Sequence, residues 1–571
     1  MYRSGRHRRL KIPAFVLAVL ILGIGSAVSA MPPHPGDQSQ SGCVAKAAVD
    51  QQYAEIQSEW LEKGIDQPAD IDFQSWLAST ATTSKNILCI LIKFPDKSNI
   101  TDAVFFDTLV YENQVGSVRH YYNEVSYGQL DIVTVDLPSA LGWVTAQENY
   151  TYYTNDNYGT GTYPQNCQKL VEEAVELVNA QVNFANYDND GDGFVDGLMV
   201  VHSGRGAELT HSVNDIWSHK WEISPRLRDG KWITTYSIMP EYWYSAGDMT
   251  LGVFCHELGH VFGLPDLYDR DYSSNGVGRW SIMSTGSWNG YLGDSPAHPD
   301  AWSRIQLGFA SCTNITSTVH GIQIPDVESS GTIYRLWSDG STGNEYFLVE
   351  NRKRTGYDAA LPAEGLLVWH IDDNVSHNDD EWYPAQTSSG HYAVALVQAD
   401  NNWSLEKGQS HGDTGDPFPG SSDNHAFTPL TSPSSNDYTE ANTLVAISKI
   451  SAATDTMTAN FFVSFSSAID DADSDVPLPD AFTVEQNYPN PFNSETRIEY
   501  VVDSIGEVRI EIFNTLGQTI LDVTENKTPH GSHSFTWDGK DSRGNDTSAG
   551  VYFYRLTSGS QSQVKKMLFL K

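Results

Sequence analysis

Basic residues are scarce in this chain of 571 residues: 35 Lys and Arg stand against 72 Asp and Glu, a formal charge of −37. Such a surface repels nucleic acid and anionic membranes, which excludes both as expected partners. It suits an extracellular protein that holds divalent cations. Cysteine is sparse and odd in number: Cys43, Cys89, Cys167, Cys255 and Cys312. That is no disulfide framework. With the segment bearing Cys43 removed, the other four could pair in three ways, but Cys89 in the apolar run Ile87–Ile92 and Cys255 beside His256 read equally as buried thiols. After residue 30 no apolar run is long enough to cross a membrane.

The first thirty residues are the exception. Arg3, Arg6, Arg8, Arg9 and Lys11 precede an apolar core, Ile12 to Gly25, and Val28-Ser29-Ala30 offers small residues for cleavage. This is the pattern of a secretory signal over 1–30. A length of 571 residues implies several domains. Residues 31–85 read as a detachable prosegment, with a polar helix predicted over Ala45–Lys63. The run at Ile87 opens an α+β domain over 86–310. Helices are predicted over Ser117–Ser126 and Gln168–Ala180, the latter with Leu170, Ala174, Leu177 and Val178 on one face. Ile233–Pro240 is predicted as an edge strand able to receive an extended chain. Residues 311–465 are β-rich, 466–480 form a linker, and 481–571, with short strands and Gly/Asn/Asp turns, suggest an immunoglobulin-like β-sandwich.

The chemistry is concentrated in His256-Glu257-Leu258-Gly259-His260-Val261-Phe262-Gly263-Leu264-Pro265-Asp266. Histidines four apart on a helix project from one face, and neutral imidazoles are good Zn²⁺ ligands. This H-E-x-x-H spacing is that of zinc hydrolases. Gly263 permits the turn that ends the helix, and Asp266 arrives as the expected third ligand, ahead of Asp269, His298 or a distant glutamate. Three protein ligands leave a fourth position for water, whose proton Glu257 takes and later gives to the leaving amine. Met283, 23 residues after His260, is placed for the turn that metzincins carry beneath the metal, and Tyr291 is a candidate helper of the transition state. A second constellation, Asp188-Asn189-Asp190-Gly191-Asp192-Gly193-Phe194-Val195-Asp196, has the spacing of an EF-hand-type Ca²⁺ loop, with Asp188, Asp190, Asp192 and Asp196 as ligands. Met199 stands where the bidentate glutamate belongs, so the loop is not a complete EF-hand. Gly412-Asp413-Thr414-Gly415-Asp416-Pro417 is a weaker acidic turn, a candidate second cation site.

With these motifs on the page, residues 86–465 resemble immune inhibitor A-type secreted metalloproteases. The resemblance rests on His256–Asp269 (HELGHVFGLPDLYD), Gly278–Gly290 (GRWSIMSTGSWNG), Ser117–Asp131 (SVRHYYNEVSYGQLD) and Asn344–Asn351 (NEYFLVEN). It implies a metzincin-like catalytic domain, a zinc endopeptidase acting on protein or peptide substrates, Asp266 as third ligand, bound calcium, and synthesis as a zymogen. Within the prosegment, Asp37 and Cys43 are candidates to block the zinc; the resemblance leans toward the carboxylate. Residues 481–571 separately resemble the C-terminal sorting domains of type IX secretion cargo, on Gln486–Asn493 (QNYPNPFN), Val508–Gly517 (VRIEIFNTLG), Ala549–Leu556 (AGVYFYRL) and Val564–Lys571 (VKKMLFLK). Export through the periplasm to the surface or medium, by the type IX machinery, is then expected. The competing expectation is a catalytically silent adhesin that keeps the protease fold.

Overall fold

The structure is a computed structural model that describes residues 29–32, 34, 73–78, 83–384, 386, 390–465, 482–502, 506–528, 531–559 and 561–570. The signal core, Asp37, Cys43, the helix expected over Ala45–Lys63 and the linker 466–480 lie outside them.

Six strands form the first sheet: β1 (Ser29–Ala30), β2 (Leu88–Lys93), β3 (Trp143–Thr145), β4 (Leu198–Arg205), β5 (His219–Arg228) and β6 (Lys231–Tyr242), in the spatial order β1-β5-β6-β4-β2-β3. Strands β3, β2, β4 and β6 run parallel, whereas β5 and β1 are antiparallel to their neighbours. A parallel strand is covered on both faces, which is why Leu88–Ile92 is continuously apolar and fully buried. Alternate residues enter different cores: Leu88, Ile90 and Ile92 face one cluster, Cys89 and Leu91 the other.

Helices close both faces: α1 (Phe73–Ala78), α2 (Val118–Val125), α3 (Cys167–Val178), α4 (Leu251–Val261) and α5 (Ala301–Gln306). Helix α3 covers the second cluster with Leu170, Val171, Ala174, Val175 and Val178. Leu177, expected on that face, is 39% exposed. At 100° per residue it falls roughly 90° from the centre of the buried stripe, which Val171 and Val175 extend the other way. Helix α4 is apolar nearly all round, and every one of its residues is buried. A helix in that state sits inside a domain.

The edge strand also differs from expectation. The segment predicted as an edge is β6, which lies inside the sheet; β5 is next to the edge and β1 covers it. Pro225 accounts for this, since a strand with a proline cannot pair fully on both sides, and the β5–β6 register shifts between Glu222 and Arg226.

The β-rich part comprises β7 (Cys312–Asn314), β8 (Val319–Pro325), β9 (Ile333–Leu336), β10 (Glu345–Arg352), β11 (Gly365–Asp372), β12 (Val394–Val397), β13 (Ala446–Ser448) and β14 (Thr456–Phe462). They form sheets β12-β11-β10-β9-β7 and β8-β14-β13 around their own core of Phe347, Val349, Leu366, Val368, Met457 and Phe461. Leu348, Leu367 and Trp369, on the opposite face, join the cluster that holds α4. A fully buried ion network crosses this seam. Arg304 of α5 meets Glu350 at 2.9 Å, and Arg352 meets Glu350 at 3.3 Å and Asp358 at 2.7 Å. Removing one partner would strand a buried charge, so Glu350, within the NEYFLVEN motif, is a structural residue.

The C-terminal strands β15 (Thr483–Val484), β16 (Thr496–Val502), β17 (Gly506–Asn514), β18 (Thr519–Thr528), β19 (Gly531–Trp537), β20 (Gly550–Ser558) and β21 (Gln561–Phe569) make two antiparallel sheets, β15-β16-β19 and β18-β17-β20-β21, over a separate core. Cys89, Cys167, Cys255 and Cys312 are free thiols, the first three buried. Among the described residues no helix is long and apolar enough to cross a membrane.

Candidate metal centre

Helix α4 is drawn against the chain that follows it by two glycines. A Cβ on Gly252 would come within 2.1 Å of the Ser287 carbonyl, and one on Gly259 within 2.6 Å of Met283 Sδ. Met283 therefore lies directly beneath the stretch between the two histidines, and is fully buried. Tyr122 of α2 donates its hydroxyl proton to the Cys255 carbonyl at 2.7 Å, fixing the backbone just ahead of His256. The helix ends at Phe262, where Gly263 (φ +94°) turns the chain.

The turn brings Asp266 back over the helix. His256 Nε2 and His260 Nε2 lie 3.1 Å apart, and Asp266 Oδ1 is 3.4 Å from the first and 3.0 Å from the second. Each imidazole uses its Nδ1–H on a backbone carbonyl, His256 on Ile282 O and His260 on Leu264 O, both at 2.8 Å. That fixes the tautomers and leaves both Nε2 lone pairs facing Asp266 Oδ1, a buried atom with no hydrogen-bond donor. Two lone pairs and a carboxylate repel unless a cation lies between them. Tetrahedral zinc with bonds near 2.0–2.1 Å sets its ligand atoms about 3.3 Å apart, so this donor set fits zinc. Burial holds His256 below its usual pKa, in the neutral form a metal requires.

Glu257 is fully buried next to this triangle, and neither carboxylate oxygen accepts a well-formed hydrogen bond. Burial, then the Asp266 and Glu208 charges, push its carboxyl well above the usual range. The other candidate ligands are engaged elsewhere. Asp269 accepts from Asp271 N, Ser274 N and the Ser273 and Ser274 hydroxyls. His298 bonds Glu124 and Arg304. Tyr291 is 72% exposed; the buried tyrosine beside the triangle is Tyr268, with its ring 6.4 Å from that of His256. Sequence reasoning passed it over, although it stands two residues after Asp266.

A second feature was also hidden. Strand β1 pairs with β5 (Ser29 opposite Lys220, Ala30 opposite His219), and Met31, 1% exposed, donates its amide to Ser218 O at 3.2 Å. The end of the expected leader thus lies in the groove along β5. Behind α4, α1 sets Phe73 and Trp76 against Phe262, with rings 4.5 and 5.6 Å away.

Among the described residues one other group of side chains could hold an ion: Asp188, Asp190, Asp192 and Asp196, with one oxygen of each within 4.8 Å of the others. Gly191 (φ +83°) and Gly193 (φ +101°) make the bends. Asn189 ties the loop to the start of the sheet, accepting from Asn86 N at 2.7 Å and donating to Asn86 O at 2.9 Å. Met199 is buried in β4 and supplies no oxygen. Burial pushes the Asp196 carboxyl up to about 7, and Lys231 pairs with Asp188. The Gly412–Pro417 turn forms no such group: Asp416 accepts from Trp280 Nε1 and Asp413 N.

Two histidines and one aspartate thus converge in the interior, with a buried glutamate beside them, a donor set suited to a metal ion. Comparison with known proteins makes that more particular. Residues 96–309 match the family model described as immune inhibitor A peptidase M6, catalytic domain, and residues 493–562 match the FlgD Ig-like domain. The chain is 31% identical over 290 residues to the pre-pro-metalloprotease PrtV of Vibrio cholerae serotype O1, covering 44% of this chain and 30% of that protein. It is 30% identical over 218 residues to immune inhibitor A of Bacillus thuringiensis subsp. alesti, covering 32% of this chain and 30% of that one. The matches thus span about 30% of either relative's length. Dimeric latent PorU from Porphyromonas gingivalis is similar over 16% of this chain and 9% of its own, with 22% identity and a TM-score of 0.14, too low to carry an argument.

Proposed function

We propose that the chain is a secreted zinc endopeptidase with a metzincin-like catalytic domain, hydrolysing peptide bonds in proteins or peptides. The observation that carries this reading is the convergence of His256 Nε2, His260 Nε2 and Asp266 Oδ1 beside an unpartnered, buried Glu257. Zinc held there would lower the pKa of a water and polarise the scissile carbonyl. Glu257 takes the proton as the nucleophile attacks and returns it to the leaving amine nitrogen. Met283 supports the ligands from below, and the groove along β5 offers backbone pairing to an extended substrate. A silent adhesin would have no use for an unpaired carboxylate held in the interior, a costly arrangement. Casein zymography with and without a chelator tests the reading: clearing should appear and vanish with zinc removal, and no clearing with zinc restored would reject it.

The acidic loop fits structural Ca²⁺, held by Asp188, Asp190, Asp192 and Asp196. Binding to the folded state raises stability by mass action, about 2.7 kcal/mol at a hundredfold excess over Kd. Millimolar Ca²⁺ should therefore raise the melting temperature of calcium-stripped protein, and an unchanged melting curve would leave the loop a solvated turn.

Residues 481–571 fit a type IX sorting domain. Their separate core supports independence from the protease part, and Lys565 and Lys566 lie on the last strand, β21. A chain ending near Phe465 should cleave peptides normally yet stay in the periplasm, read by a fractionation blot. Normal export, or lost turnover, would favour a binding or structural module.

A further inference from the structure

A cavity of about 470 Å³ opens beside β12, within the size range of small-ligand sites, and none of the three converging metal donors lines it. One side chain organises its wall. Gln398, 2% exposed, accepts from Ser404 N at 2.6 Å and donates to Glu406 Oε2 at 2.6 Å. Glu406 is thereby fixed as a buried carboxyl lining the cavity, itself 2% exposed. The same turn presents Trp403, whose Nε1 donates to Asn401 Oδ1 at 3.0 Å. Asn401 (φ +58°) and Trp403 (φ +57°) both take the left-handed region. For a bulky residue that conformation is costly and persists only where the surroundings enforce it.

The rings around the cavity form a corner. Trp382 stands nearly perpendicular to Trp403, with ring centres 5.4 Å apart, and to Tyr438 at 5.7 Å. Tyr438 stacks on two imidazoles, His370 at 4.1 Å and His391 at 3.8 Å, which bond Glu345 and Asp372 at 2.9 Å each. That stack occupies the tyrosine ring, and its hydroxyl is buried with no hydrogen-bond partner. Asn436 Oδ1, also on the lining, is likewise buried and unpartnered. Four carboxyls line the cavity, those of Glu406, Asp437, Glu440 and Glu499, against one guanidinium, that of Arg497, which is 58% exposed and 3.5 Å from Glu499. Burial holds His370 below its usual pKa, so it adds no positive charge. Burial also pushes the Glu406 carboxyl up to about 8; a cation against it would draw it back down.

One wall is a sheet edge. Strand β12 ends its sheet, and Val394 turns its N–H and C=O away from β11 onto the Asn378 side chain, at 3.1 and 2.8 Å. Alternate residues of a strand point their backbone groups the same way. Leu396 therefore directs its own groups outward, at the cavity it lines.

We infer that this cavity is a binding site for an arginine side chain carried by an extended peptide, separate from the metal centre. The indole corner attracts a cation, arginine more often than lysine. A guanidinium has N–H donors all round its fork and no acceptor, which answers Asn436 Oδ1, the Tyr438 hydroxyl oxygen and Glu406 together. A quaternary ammonium would leave those acceptors unsatisfied, and a free amino acid would leave Leu396 unpaired. A peptide strand laid along β12 meets both demands.

The test uses the full chain carrying Glu257→Ala, so that no probe is cut, and the labelled peptide acetyl-Ala-Ala-Arg-Ala-Ala-amide, followed by fluorescence anisotropy. Saturable binding is expected. Citrulline in place of arginine keeps the shape without the charge, and trimethyl-lysine keeps the charge without the N–H donors. Either should weaken binding roughly tenfold or more. N-acetylarginine amide, which cannot span Leu396, should bind more weakly than the pentapeptide. Trp403→Leu should weaken pentapeptide binding roughly two- to thirtyfold. Glu406→Gln, which keeps the bond to Gln398 and removes the charge, should weaken it without lowering the melting temperature. Zinc content should hold in both variants. No saturable binding, equal affinity for the citrulline or trimethyl-lysine peptide, or unchanged affinity in both variants would overturn the inference. Equal affinity for N-acetylarginine amide would overturn the peptide assignment.

Discussion

Glu257→Ala is expected to leave zinc bound and to remove nearly all turnover, a loss on the order of 10²–10⁴-fold. The residue is not one of the three converging donors, so the metal keeps its ligands. What disappears is, among the described residues, the only carboxylate that lies beside the triangle without belonging to it and with both oxygens unpartnered. The substitution also removes a buried carboxyl that the fold leaves unsatisfied, so the variant should melt no lower than the parent. His256→Ala and His260→Ala should behave differently, losing zinc and turnover together. Metal analysis beside peptide turnover separates the cases, and a Glu257→Ala enzyme with near wild-type turnover would sink the mechanism.

Asp266→Ala should weaken zinc binding by more than the roughly 10–100-fold that the loss of an outer hydrogen-bond partner costs. It removes one of three donors and leaves two imidazole lone pairs facing each other at 3.1 Å. Asp269→Ala, three residues on, should do something else. Asp269 accepts hydrogen bonds from Asp271, Ser273 and Ser274 and closes the local loop, so its loss should cost about 1–3 kcal/mol of stability with zinc affinity much nearer the parent's. Competition with a chelator at limiting zinc gives the comparison. Equal zinc loss in the two variants would move the third ligand away from Asp266.

The cluster of His256, His260 and Asp266 was legible in the sequence because its parts are close in the chain. His256 and His260 share a helix face through the 3.6-residue repeat, Gly263 takes the φ that ends the helix, and Asp266 follows within one turn of chain. The acidic loop was legible for the same reason, since Asp188 to Asp196 is one bend with glycines at fixed offsets. Strands such as Thr496–Val502 and helices such as Val118–Val125 announced themselves by short-range apolar spacing.

What failed was long-range. Leu177 looked apolar-facing, but the stripe α3 buries was set by the sheet it covers. Ile233–Pro240 looked like an edge, but the preceding strand of its hairpin, His219–Arg228, pairs outside it and is itself covered by Ser29–Ala30. Tyr291 was nearer Met283 in the chain, whereas Tyr268 is the one packed beside His256.

By itself, then, the sequence determined the donor types, their spacing on α4, the acidic loop and the succession of an α+β part, a β-rich part and a terminal β-sandwich. Only the tertiary structure decided which carbonyls orient the imidazoles, that Met283 fits against Gly259, that Arg304 and Arg352 share Glu350 across the seam, and that residues 29–32 lie along β5 under Trp217 and Trp288. The physical reason is range. Helical periodicity and turn chemistry act within a few residues, whereas hydrogen-bond satisfaction in a buried site draws on groups wherever the chain brings them. The 26 residues between His256 and Ile282, and the 256 between Pro32 and Trp288, leave no periodic trace in the sequence.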